Sequence, residues 1–199
     1  MSIEIELKAH INDVEAVKRL LYKKAVFLWG FEKDDTYWSG ETSGEMPPFR
    51  TRLRREKRTL SDGSVKSSFF VTYKTKETHD GIEINEEKEF EVSFKNPPDK
   101  ESVFEEFLRR MGLEPEISKR KRGWAFNKNG ITAELCDVEG LGWFVELEIL
   151  ADENLINKEE IYSTSKNRLL DLLESLGIEK NAIESRYYTE MLWELKKTV

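Results

Sequence analysis

The stretch Ile3-Glu4-Ile5-Glu6-Leu7-Lys8 decides the fold. Ile3, Ile5 and Leu7 fall on one face of an extended chain and Glu4, Glu6 and Lys8 on the other, the period of a strand with one apolar side. Its polar face carries two like charges in succession, and that arrangement returns along the chain. Glu146 and Glu148 make a second acidic row, and Glu87, Glu89 and Glu91 a third. Arg50, Arg52 and Arg54 form a basic row, and Thr72, Lys74 and Lys76 a shorter one. An outer sheet face normally mixes signs, because like charges repel along and across strands.

Same-sign rows therefore need a partner. Basic rows suit a polyanion, and neighbouring carboxylates suit hard cations such as Mg²⁺ or Mn²⁺, which prefer oxygen ligands. Both together suit a metal-bound polyphosphate, with Arg binding phosphate oxygens bidentately and Lys acting as a point charge. The competing arrangement is Glu rows paired with Arg rows as salt bridges across the sheet. The number of charges at inward-capable positions favours a wet, ligand-filled bore over a packed charged core.

Working outward from the first strand, Asn12 or Asp13 is placed to cap a helix in which Val14, Val17, Leu20 and Leu21 recur at helical spacing to about residue 28. Residues 34–38 read as a short strand. Beyond a loop from Gly40 to Pro48, strands are expected over 49–57, 66–76, 82–94, 117–127 and 130–138. Pro97 and Pro98 close the main strand run. A helix follows from about Asp99 to Met111, stopped by Gly112, and another spans about 158–176 before Gly177. A last helix is expected from about Ala182 to Lys196. Val145-Glu146-Leu147-Glu148-Ile149 echoes the opening strand, and each copy precedes an amphipathic helix. This many strands favours an antiparallel barrel or sandwich, with residues 1–199 as a single domain.

Composition narrows the chemistry. Hydrophobic residues make up 38% and charged residues 36% of 199 positions, and the net charge is −7, which argues against a nucleic-acid partner. Cys136 is the sole cysteine, so no internal disulfide forms. The opening residues lack a leader pattern and no apolar run approaches the roughly 20 residues of a membrane span. A cytoplasmic protein without membrane partners is the expectation. His10 and His79 are the only histidines and read as surface residues, leaving little for a His-based zinc site or catalytic triad. Gly140-Leu141-Gly142 lies between strands and reads as a hairpin, not a dinucleotide loop.

The ordered motifs resemble the CYTH superfamily of class IV adenylate cyclases and thiamine triphosphatases, also called triphosphate tunnel metalloenzymes. The resemblance rests on the ExExK of Glu4 to Lys8, Asp35-Thr36-Tyr37-Trp38, Arg52-Leu53-Arg54, Thr72-Tyr73-Lys74 and Glu89-Phe90-Glu91-Val92. It continues through Val138-Glu139-Gly140-Leu141-Gly142-Trp143-Phe144-Val145-Glu146-Leu147-Glu148 and Arg186-Tyr187-Tyr188-Thr189-Glu190-Met191-Leu192. It implies an α+β fold, an eight-stranded antiparallel tunnel with helices outside. Glu4, Glu6, Glu146 and Glu148 would be the catalytic carboxylates and hold Mg²⁺ or Mn²⁺. Lys8, Arg52, Arg54, Lys74 and a late basic pair would grip the phosphates.

Two departures stand out. The family pattern has Asp where this chain has Cys136, and the neighbouring Asp137 could substitute only through a bulge. Counting back from Trp124 makes the late pair Lys119 and Lys121, whereas strict alternation equally allows Arg120 and Arg122. The resemblance implies a class IV adenylate cyclase-like reaction, ATP to cyclic AMP and pyrophosphate. The alternatives are a triphosphatase acting on tripolyphosphate, thiamine triphosphate or a nucleoside triphosphate, and a non-catalytic triphosphate or polyphosphate binder. The oligomeric state is left open, a homodimer being one form.

Overall fold

The computed structural model describes residues 2–40, 51–79, 82–92, 100–152 and 158–198. Arg50 lies outside them, as do the side chains of Lys74, Lys76 and Glu87.

Eight strands close into one antiparallel barrel: β1 (Ser2–His10), β2 (Val26–Ser39), β3 (Thr51–Leu60), β4 (Val65–His79), β5 (Ile82–Glu91), β6 (Glu114–Lys128), β7 (Ile131–Val138) and β8 (Gly142–Asp152). Around the ring the order is β1, β5, β4, β3, β2, β6, β7, β8. The seam is β1 against β8, from Ser2 opposite Asp152 to His10 opposite Phe144. The two strands that echo each other in sequence are thus neighbours in space.

Helices cover the outside: α1 (Val14–Lys24), α2 (Lys100–Arg110) and α3 (Lys158–Ser175). The largest core therefore lies outside the barrel wall. Ile5, Leu7 and Ala9 of β1, Leu135 of β7 and Val145, Leu147 and Ile149 of β8 pack there against Val17 and Leu21 of α1, Leu169, Leu172 and Leu173 of α3, and Leu176 just beyond its end. A second outer cluster joins Trp38, Leu53 and Phe69 to Leu108 of α2. With the apolar faces of the strands turned outward, strand alternation turns their charged faces inward.

The end of the barrel at the β7–β8 hairpin is crossed by α4 (Tyr188–Thr198). Tyr188 and Met191 pack with Phe31, Ala125, Cys136, Val138 and Phe144. The hairpin uses Gly140 and Gly142 at φ 82° and 91°, a region glycine enters without strain.

Three expectations need correction. The first helix stops at Lys24, because Ala25 is already extended (φ −132°, ψ 161°) and β2 starts at Val26. Its cap is Asp13, whose carboxylate accepts from the Ala16 N–H at 2.9 Å. The short strand at 34–38 is the end of this 14-residue strand. The last helix starts at Tyr188, following a short 3-10 turn at Lys180–Ala182. Among the described residues, no helix is long and apolar enough to cross a membrane.

Candidate active site

The seam supplies the acidic wall. Glu6 of β1 lies opposite Glu148 of β8, and Lys8 opposite Glu146. Glu134 of β7 lies opposite Glu146, so carboxylates from three consecutive strands adjoin on the inner face. Lys8 is buried and donates to the Glu83 carboxylate of β5.

The opposite wall is basic. On β6, Lys119 and Lys121 are 6% and 5% exposed, whereas the side chains of Arg120 and Arg122 are 71% and 75% exposed. The inward pair is therefore Lys119 and Lys121, and the arginines point out to Asp34, Glu139 and Asp137. On β3, Arg52 and Arg54 face inward. Arg52 donates to Thr72 Oγ1 at 3.0 Å and reaches Glu89 at 3.3 Å. Arg54 makes a fork to Asp35 at 2.7 and 2.9 Å, and Lys119 reaches the same carboxylate at 3.0 Å. Lys74 sits on β4 in register with Glu87.

Between the walls runs a chain of alternating charge. Lys121 donates to Glu146 and, at 2.7 Å, to Glu134. Lys33 of β2 donates to Glu134 at 2.6 Å and stands 3.8 Å from Glu56 of β3. Of the Glu-row to Arg-row pairing weighed from sequence, Arg52 with Glu89 is an example, whereas this chain of charge is built from Lys33, Glu56, Lys121 and Glu134, outside those rows, with Glu146.

These contacts shift protonation. Burial alone would raise the Asp35 carboxyl, but Arg54, Lys119 and Arg52 outweigh it and hold it well below the ordinary range. Glu134 and Glu146 are likewise lowered, burial being overcome chiefly by Lys121. Lys121 is pushed well up by Glu134 and Glu146 against the opposing effect of burial. The Cys136 thiol and Tyr188 hydroxyl are both raised, by burial and then by Glu146.

Cys136 lies in the lumen with Sγ 3.8 Å from Glu146 Oε1. The β6–β7 register runs unbroken from Lys121 opposite Val138 to Lys128 opposite Ile131. No bulge turns Asp137 inward, and its carboxylate stays outside with Arg122 at 3.6 Å. The seam carboxylates are hard oxygen donors, a chemistry that fits Mg²⁺ or Mn²⁺. Among the described residues, however, no three His, Cys, Asp or Glu side chains converge on one ion position. In this arrangement Lys121 balances Glu146 instead.

Asp35, Lys33, Glu56, Glu83 and Glu134 also belong to the lumen, although none is in the charge rows read from sequence. Glu134 was within reach of that reading. In Ile131-Thr132-Ala133-Glu134-Leu135-Cys136 the apolar residues alternate with Thr, Glu and Cys, placing Glu134 inward.

A protein of Methanocaldococcus jannaschii named "Putative adenylate cyclase MJ0240" is 30% identical over 195 residues, 95% of this chain and 98% of its own. This chain belongs to that protein's family. No family model matches the sequence. The family's barrel recurs in the PH1819 protein of Pyrococcus horikoshii, with a TM-score of 0.72, 23% identity and coverage of 98% and 99% of the two chains. It recurs also in HpAC1 of Hippeastrum, whose structure is described as a putative adenylyl cyclase with a dominant triphosphatase activity. That match has a TM-score of 0.62, 17% identity and coverage of 98% and 96%. The fold shared with these structures is thus the closed antiparallel barrel with helices on its outer surface.

Proposed function

We propose that the protein is a metal-dependent CYTH enzyme acting on a triphosphate in its lumen, most closely a class IV adenylate cyclase that converts ATP to cyclic AMP and pyrophosphate. The observation that carries this reading is the pair of facing walls, Arg52, Arg54, Lys119 and Lys121 against the carboxylates of β1, β7 and β8. Such cations bind phosphate oxygens by charge-assisted hydrogen bonds, strengthened where water is excluded. Lys8 and Lys74 extend the same clamp. Glu4, Glu6, Glu146 and Glu148 would hold Mg²⁺ or Mn²⁺, which when bound would lower the pKa of the attacking hydroxyl. The chain's own basic residues would then orient the triphosphate and stabilise the charge on departing pyrophosphate.

A triphosphatase is the second reading, supported by the fold shared with the Hippeastrum protein. The same clamp would present the terminal phosphate to water. A non-catalytic triphosphate binder is the third, supported by the replacement of an expected Asp by Cys136. Incubation with ATP, thiamine triphosphate and tripolyphosphate, each with Mg²⁺ or Mn²⁺, separates them. Cyclic AMP with pyrophosphate is expected. Orthophosphate identifies the triphosphatase, binding without turnover identifies the binder, and no binding at all overturns the triphosphate reading.

A further inference from the structure

From β3 to β8, charged side chains alternate in sign. Arg58 meets Glu56 at 2.8 Å. Lys33 meets Glu134 at 2.6 Å and stands 3.8 Å from Glu56. Lys121 bridges Glu134, at 2.7 Å, to Glu146. The row ends at Glu146, and the cation that covers it there is Lys121.

The pairing is one to one, so withdrawing Lys121 uncovers one carboxylate. Glu56 keeps Arg58 and Glu134 keeps Lys33. Lys8 lies in register with Glu146 but is taken by Glu83. The charge left exposed would be that of Glu146, two residues along β8 from Glu148 and on the same face. Lys119 shares the inner face of β6 with Lys121, yet it is committed elsewhere, to Asp35 at 3.0 Å beside Arg54. Of the two buried β6 lysines, Lys121 is thus the one in contact with the acidic wall.

That position sets two ligands in opposition. A divalent cation on Glu146 needs the carboxylate that Lys121 holds, and it would push the lysine into a lumen already lined by Lys33, Lys119 and Arg54. A triphosphate without metal would draw Lys121 away and leave Glu146 bare beside an anion. When both arrive, every charge finds a partner: the cation replaces Lys121 on Glu146, and Lys121 turns to a phosphate oxygen. A lysine suits this exchange, having a flexible stem and a compact ammonium with rotatable donors.

Building on the triphosphate reading above, we infer that Lys121 determines the ligand specificity of the lumen. By exchanging Glu146 for a phosphate oxygen, it makes the site take divalent metal and triphosphate together and discriminate against either alone.

The test is calorimetric titration of Mn²⁺, tripolyphosphate and their preformed complex into wild type, Lys121→Gln and Lys119→Gln. Wild type is expected to bind the complex about tenfold or more tighter than tripolyphosphate alone. Lys121→Gln keeps a donor for Glu134 and removes the competing charge. It should bind Mn²⁺ alone about tenfold tighter and the complex about tenfold weaker. Lys119→Gln should weaken the complex while leaving Mn²⁺ within about threefold. Thermal melting confirms that each variant folds and makes the same comparison without calorimetry: Mn²⁺ should raise the midpoint of Lys121→Gln more than that of wild type. Unchanged or weaker Mn²⁺ binding by Lys121→Gln, or undiminished binding of the complex, would overturn the exchange and leave the triphosphate reading intact. Failure of wild type to bind tripolyphosphate, with or without Mn²⁺, would overturn both.

Discussion

Asp35 takes the Arg54 guanidinium in a two-pronged grip, at 2.7 Å to Nε and 2.9 Å to a terminal nitrogen, from a carboxylate that solvent does not reach. Lys119 closes on the same group from β6 at 3.0 Å. One anion on β2 thereby fixes cations from both neighbouring strands.

Replacing Asp35 by Asn should test this through stability. The folded carboxyl titrates well below its ordinary value, so its contribution is present above the unfolded pKa of about 3.9 and is lost as pH falls through the folded value. Asp35→Asn should lose on the order of 3 kcal/mol at neutral pH, because two buried cations lose their partner. The variant should also show a shallower decline of stability below about pH 4. Urea unfolding from neutral to acidic pH reads both effects. Identical acid limbs in the two proteins would refute the assigned role.

Arg52 predicts a ligand-specific loss. Its guanidinium is held by Thr72 and Glu89 on the inner face, where a polyanion could engage it bidentately. Arg52→Ala should weaken tripolyphosphate about tenfold while changing orthophosphate binding little. Equal losses for the two anions would place Arg52 outside the clamp.

Cys136 offers a gain experiment. A carboxylate there would lie against Glu146, whose oxygen is already 3.8 Å from the thiol. Cys136→Asp should melt below wild type in the absence of divalent metal, because like charges adjoin in a buried site. Adding Mn²⁺ should raise its melting temperature more than that of wild type. The same Mn²⁺ response in both proteins would show that position 136 is not a ligand position.

Gly123 is a packing prediction. A Cβ at this residue would fall 2.0 Å from the Leu135 carbonyl oxygen and 2.8 Å from the Cys136 Cα. Gly123→Ala must push β6 and β7 apart between Lys121 and Ala125. It should cost on the order of 3 kcal/mol in chemical denaturation. A loss below about 0.5 kcal/mol would mean that the strands separate freely.

Most of the architecture could be read in the chain because strand alternation is a local property. Ile5, Leu7, Leu147 and Ile149 announce their outward face, and Glu6 and Glu148 follow inward. The start of β2 was hidden for an equally local reason. Val26-Phe27-Leu28-Trp29 has no polar alternation, and a register shift between Phe27 and Trp29 breaks the period. Asp34 and Asp35 look alike in sequence, yet only Asp35 enters the lumen, since the strand's phase separates them. The choice of Lys119 and Lys121 over Arg120 and Arg122 likewise needed the pairing of β6 with β2 and β7. Tyr188 could not be placed from its own neighbourhood, because its position depends on how a terminal helix crosses the barrel end.

The seam between β1 and β8 has a consequence for biosynthesis. Since the first strand of the ring hydrogen-bonds the last, the N-terminal strand must wait for residues up to Asp152 to leave the ribosome before the ring can close. Until then β1 and β7 both present unpaired edges. Glu6 meets Glu148 in that same closing event, so no shorter nascent chain can assemble the acidic wall. The acidic wall and the completed ring are acquired together.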